Sequence, residues 1–281
     1  MGLFDIFRRG TTRVDATKSE ATRPSTVGLA LGGGAVRGAA HIGVLSVLEE
    51  AGIEADVVAG TSVGSIIGAA YAAGVSSADM LELMHGVSWK DLTRPTFGSK
   101  YSFANTAPMA RFIEQAIGAT DFSDLGKPFA AVTCDVVTGN QVVIREGNVS
   151  RAVLASSAVP GVFPPVEDGE ALYIDGGVVD LVPVTAVRDL GADYVIAVNI
   201  IPKRRGSHRP ANAQELLLAS FEIMQYVVER DAQSADVFIE PQVADFGLMD
   251  FSNVSELYER GRVAAQMVVE KLHSVLGVSA T

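Results

Sequence analysis

The chain has 281 residues, 48% of them hydrophobic, and a formal net charge of −11. That apolar content builds a sizeable globular core and excludes a disordered chain, while the acidic balance excludes a general nucleic-acid binder. The single cysteine, Cys134 in Ala-Val-Thr-Cys-Asp, cannot form an internal disulfide and reads as a small buried hydrophobe in a reducing, cytoplasmic setting.

No apolar run reaches the roughly 18 residues of a membrane span, and the first residues lack the apolar core of a signal peptide. They also miss the myristoylation pattern, because Ile6 stands where Ser or Thr is needed. Residues 1–26 form a segment of their own. Arg8, Arg9, Arg13, Lys18 and Arg23 against Asp5, Asp15 and Glu20 make it +2 and leave the rest at −13. Leu3, Phe4, Ile6 and Phe7 beside Arg8-Arg9 suit peripheral contact at the inner membrane face, or else the segment is a frayed, flexible tail. Residues 27–281 are expected to form one domain.

Val27 to Leu31 reads as a buried strand, followed by Gly32-Gly33-Gly34-Ala35-Val36-Arg37-Gly38 and a helix over 39–51 that ends at Gly52. A dinucleotide fingerprint would need a small residue where Arg37 stands, and a P-loop would need Lys-Ser/Thr after Gly38, where Ala39-Ala40 stands. What remains is a run of backbone N–H groups at a helix start, an anion cradle that would serve a serine hydrolase as its oxyanion hole.

A second strand, Val57-Val58-Ala59, runs into Gly60-Thr61-Ser62-Val63-Gly64 and a small-residue helix over 65–73. Strand, G-x-S-x-G and helix together describe a nucleophile elbow. Gly60 and Gly64 let the chain pass without Cβ clashes, and the helix N-terminus aims N–H groups at the serine. Without a base nearby, the same residues would be only a glycine-rich turn.

Helices are expected over 78–85 and 108–117. Between them Trp89, Phe97, Tyr101 and Phe103 lie in an aperiodic stretch, either a lid over an apolar pocket or an ordinary surface loop. Strands follow over 129–135 and 141–145, then a helix over 149–157, the rigid Pro160-Gly161-Val162-Phe163-Pro164-Pro165 and a strand, 172–174, delivering Asp175-Gly176-Gly177. A helix over 184–190, a strand over 194–200, a basic loop over 203–210, a helix over 213–230, a strand over 237–240 and a helix over 254–276 complete the chain. Strands alternating with helices predict an α/β fold, a three-layer α/β/α sandwich with a mostly parallel central sheet.

A serine hydroxyl needs a base. Of the four histidines, His41 reads as a core residue and His85 ends a helix, so only His208 and His273 follow the order of a Ser-His-Asp triad. Asp175 comes off a buried strand beside two glycines, and reads either as a general base or as a turn aspartate bonding its own backbone. No His/Cys cluster or calcium-loop spacing is present, so no metal and no cofactor are expected.

Gly-Gly-Gly-x-x-Arg at 32–37, Gly-x-Ser-x-Gly at 60–64 and Asp-Gly-Gly at 175–177 resemble, in order, the patatin-like phospholipases of the compact bacterial single-domain type. The resemblance covers roughly 27–200, including Pro-Gly-x-Phe-Pro-Pro. It implies hydrolysis of lipid acyl esters, such as phospholipids or lysophospholipids, by a Ser–Asp dyad without histidine. Ser62 would be the nucleophile, Asp175 the base, and Gly32, Gly33 and Gly34 with Arg37 the oxyanion site, with the acyl chain in a pocket under 86–106. The family often has Asn five residues after the dyad Asp; here it is Asp180, a second negative charge near Asp175. A triad esterase, or a lipid- or protein-binding member with little turnover, are the alternatives.

Overall fold

The computed structural model describes Pro24 and residues 26–95, 100–201, 209–229, 234–248 and 251–278. Their elements run β1 (Val27–Leu31), α1 (Ala39–Glu50), β2 (Val57–Thr61), α2 (Val63–Ala72), α3 (Ser77–His85), α4 (Trp89–Leu92), β3 (Arg94–Pro95), β4 (Ala104–Asn105) and α5 (Ala107–Ile117). Then come β5 (Phe129–Asp135), β6 (Asn140–Ile144), α6 (Val149–Ser156), β7 (Val166–Asp168), β8 (Ala171–Asp175), α7 (Val184–Asp189), β9 (Tyr194–Val198), α8 (Ala213–Glu229), β10 (Val237–Ile239) and α9 (Val254–Leu276).

The main sheet has the order β10-β9-β1-β2-β5-β8-β7, with β6 also on β5. From β10 to β5 every pairing is parallel. The pairings of β6, β7 and β8 are antiparallel. Strand residues alternate between two cores, as the two-residue period of a strand requires. Leu29, Leu31, Val58, Ile196 and Val198 pack into a large core with α1, α2, α5 and α9. Ala30, Ala59, Ala130 and Ala197 face a thinner one under α7. The second face is built from small residues because α7 lies close: a Cβ on Gly28 would sit 2.1 Å from Val187 Cγ1. The expected sandwich with a mostly parallel sheet is the observed architecture.

Strand β5 has two edges. On one, β6 runs along 131–135. On the other, β2 pairs with 129–132 and β8 with 133–135. Strand β2 runs parallel to β5 and β8 runs against it, so the two share one edge and meet head to head. Thr61 ends opposite Val132 and Asp175 opposite Thr133. Ser62 and Asp175 are thereby brought to one point.

The sequence reading missed β7, α4 and the β3–β4 pair; each is two to four residues long, too short to carry a periodic signal. Among the described residues no helix is long and apolar enough to cross a membrane. The expected membrane-interface or frayed character of the N-terminal tail, and the roles weighed for Phe97 and His208, fall on residues outside those described.

Candidate active site

Ser62 joins β2 to α2 with φ 55° and ψ −126°, a left-handed backbone that a residue with a Cβ adopts only under constraint. The constraint is visible around it. The Ser62 N–H donates to Ser156 Oγ at 2.9 Å, and Ser156 Oγ donates to the Val132 carbonyl at 2.5 Å. Ser65 Oγ donates to the Ser62 carbonyl at 2.6 Å, and Thr61 Oγ1 donates to the Asp180 carbonyl at 3.0 Å. Both glycines of the elbow are required by close approach. A Cβ on Gly60 would stand 2.2 Å from the Gly64 carbonyl oxygen, and one on Gly64 would stand 2.1 Å from that of Leu31. Gly64→Ala therefore pushes α2 away from β1. Overpacking of this kind typically costs about 1–3 kcal/mol, and the elbow moves with it, so the variant is expected to lose at least about 100-fold in ester turnover and to melt earlier; wild-type kinetics in a purified Gly64→Ala protein would refute the close-approach account.

Asp175 is fully buried. Its two oxygens stand in different surroundings. Its Oδ1 accepts the Gly177 N–H at 2.8 Å, the bond of a turn aspartate. Its Oδ2 is buried with no hydrogen-bond partner. Burial pushes the carboxyl up to about 7, against smaller lowering contributions from the Ser62 hydroxyl and the Gly177 N–H. The Ser62 hydroxyl is thus close enough to favour the carboxylate but does not close a bond to Oδ2. Asp180 is not among the groups that shift Asp175. Its own carboxyl is pushed up to about 6, chiefly by burial, while it accepts a bond from Gln141 Nε2 at 2.7 Å.

The glycine loop divides unevenly. The Gly32 N–H donates to Val198 O at 3.0 Å and the Gly33 N–H to Leu181 O at 3.2 Å. Among the described residues, the Gly34 N–H donates to no other protein group, and of the three glycines only Gly34 lines the cavity that holds Ser62. A Cβ on Gly34 would meet Ile200 at 2.6 Å. Arg37, expected at the oxyanion site, is instead buried in a bracket. Its Nη1 pairs with Glu222 of α8 at 2.6 Å, and its Nε and Nη2 donate to the Phe246 carbonyl at 3.1 and 2.8 Å. The guanidinium is engaged by α8 and the chain after β10 and is not among the cavity-lining groups. In this structure Gly32, Gly33 and Arg37 hold the loop, and Gly34 lines the cavity that holds Ser62.

The described histidines do not reach this point. His41 is fully buried and its Nε2 meets the Gly32 carbonyl at 2.8 Å. His273 Nε2 meets the Ala51 carbonyl at 2.9 Å, at the α1–α9 side of the molecule. His85 ends α3, exposed. Cys134 is buried, with its thiol pushed up by burial. Among the described residues no group of three His, Cys, Asp or Glu side chains could hold a metal ion.

Beside Ser62 lies an apolar cavity. Val87 and Leu92 border it, as expected of the 86–106 stretch, while Phe103 is turned outward, 65% exposed. The contribution of Leu218, Phe221 and Gln225 of α8 to its wall was not foreseen. Three polar groups escaped the sequence reading. Ser156 carried no signal. Glu222 and Gln225 carried one: two polar residues three apart, hence on one face, inside the mostly apolar run 216–228.

The profile of one protein family, described as patatin-like phospholipase, matches residues 29–188. An uncharacterized NTE family protein of Mycobacterium tuberculosis is 30% identical over 275 residues, covering 87% of this chain and 46% of that protein. A protein named lysophospholipase nte1, from Aspergillus fumigatus, is 29% identical over 286 residues, covering 88% of this chain and 18% of that protein. The chain thus spans less than half the length of these curated relatives. Among solved structures, VipD from Legionella pneumophila aligns with a TM-score of 0.55 at 12% identity, over 91% of this chain and 69% of that one, a likeness of fold.

Proposed function

Because the chain belongs to the patatin-like phospholipase family, we propose that it is a serine acyl hydrolase cleaving carboxylic esters of phospholipids or lysophospholipids through an acyl-Ser62 intermediate. The observation that carries this reading is the unpartnered, buried Asp175 Oδ2 beside Ser62, with none of the described histidines between them. A relative named a lysophospholipase supports the substrate class.

In acylation, Asp175 takes the Ser62 proton as Oγ attacks the ester carbonyl. Oxygen charge in the tetrahedral intermediate falls to the Gly34 N–H and to the Val63 N–H, which as the first residue of α2 has no intrahelical acceptor. Collapse expels the alcohol, which leaves with the proton from Asp175. Water then attacks the acyl-enzyme, Asp175 takes its proton, and the fatty acid is released with Ser62 regaining its hydrogen. The acyl chain occupies the apolar cavity, whose burial of methylenes favours a chain over a polar acid, at about 0.8 kcal/mol for each CH₂.

The test is a lipid panel run with Ser62→Ala as control, together with a fluorophosphonate probe. Wild type should hydrolyse and become labelled on Ser62, and Ser62→Ala should do neither. A folded wild-type protein that resists labelling would instead be a lipid- or protein-binding member without turnover. Hydrolysis should survive EDTA; a loss restored by calcium would reveal a metal requirement in catalysis or at the lipid interface.

A further inference from the structure

We infer that His41 is a positioning residue of the oxyanion loop: its Nε2–H holds the Gly32 carbonyl, fixes the Gly32–Gly33 peptide, and so keeps the Gly34 N–H turned to the cavity beside Ser62. The inference rests on the acyl-hydrolase reading above. A carbonyl oxygen only accepts, so at 2.8 Å the proton of this bond belongs to Nε2. Burial holds the ring neutral, with its proton affinity lowered to about 4. In a neutral ring the other nitrogen, Nδ1, is then bare, and Nδ1 is indeed buried without a partner.

A ring kept only to fill space would be better replaced by a hydrocarbon, because the unpaired Nδ1 is a desolvated polar atom. What it maintains is the direction of one peptide. Gly32 and Gly33 lack Cβ atoms, so rotation of the plane between them meets little steric resistance. Its orientation must come from bonds at both ends. The N–H end is held by Leu181 O at 3.2 Å, and the carbonyl end by His41. The same carbonyl oxygen lies against the elbow: a Cβ on Gly64 would meet it at 2.6 Å. The His41 bond therefore sets the oxyanion loop in register with the serine turn.

The experiment uses the full chain with His41→Leu, His41→Asn and His41→Gln, assayed on a soluble p-nitrophenyl acyl ester. Gln carries an amide nitrogen about as far out as Nε2; Asn falls short and Leu has no donor. His41→Leu and His41→Asn should lose about 10–100-fold in kcat with KM nearly unchanged, a part of the 10²–10³ typical of a deleted oxyanion donor. His41→Gln should recover most of it. In the wild type, ¹⁵N imidazole shifts should report His41 as the neutral Nε2–H tautomer at pH 7. Wild-type kcat in His41→Leu or His41→Asn, equal losses in all three variants, or an Nδ1–H tautomer would each overturn the inference. If His41→Leu does not fold, the Gln-against-Asn comparison and the wild-type spectrum still decide. A wild type that neither turns over ester nor takes the fluorophosphonate would sink the hydrolase reading instead.

Discussion

Asp175→Asn is expected to remove nearly all ester turnover, about 10³-fold or more, while raising the melting temperature at neutral and alkaline pH. An amide cannot take the Ser62 proton, so the loss of general-base help is complete. The stability gain follows from burial. The carboxyl ionises near 3.8 in the unfolded chain and near 7 in the folded one. Its folded pKa is raised, so the native state binds the extra proton between those values, and stability falls as pH rises from about 4 to 7. Above 7 the full penalty is present, on the order of 4 kcal/mol. Asn retains the acceptor for the Gly177 N–H and carries no charge, so the variant should melt several degrees higher at pH 8 and differ little at pH 4. A folded Asp175→Asn protein with substantial turnover would end the dyad mechanism. Unchanged stability at pH 8 would mean that the carboxylate is not desolvated as the structure has it.

The same burial places the acid limb of kcat/KM near pH 7, where Asp175 loses its proton in the free enzyme. An unperturbed histidine titrates near 6.5, so the pH profile does not by itself separate a dyad from a triad. Single variants do, and His273→Ala should retain activity, its ring being engaged with the Ala51 carbonyl.

Arg37→Ala is expected to destabilise the protein by about 3–5 kcal/mol, the range for removing one partner of a buried ion pair. The motif resemblance placed Arg37 at the oxyanion site, a role in the chemistry rather than in the fold. The structure changes that expectation, because the guanidinium is buried against Glu222 and the Phe246 carbonyl. Its removal leaves Glu222 desolvated without its counter-charge and frees α8 from the glycine loop, so activity should fall through displacement of both the loop and the cavity wall. Replacing the pair together, Arg37→Met with Glu222→Met, should recover much of the stability, since an apolar pair carries no desolvation penalty. Chemical denaturation of the three variants measures this. An Arg37→Ala protein as stable as wild type would show that the bracket carries no weight.

Features that depend on neighbours along the chain can be read from the residues directly. The elbow was legible because strand, turn and helix are contiguous, and because the glycines at 60 and 64 answer to steric contacts within and beside that turn. The alternating strands and helices gave the sandwich, because burial on both faces demands apolar runs such as Val27–Leu31. The motif resemblance supplied Ser62 and Asp175 as a pair, but not the reason they meet. That reason is tertiary: β2 and β8 end head to head on one edge of β5. Tertiary structure alone also decided the fate of Arg37, whose partner lies 185 residues along the chain. A charged side chain near a glycine loop reads as an anion ligand until its counter-ion is known. The role of α8 was hidden for a related reason. A helix with apolar residues most of the way round does not declare which face it buries, and only the packed molecule shows Glu222 and Gln225 turned inward, over the glycine loop and the serine's cavity.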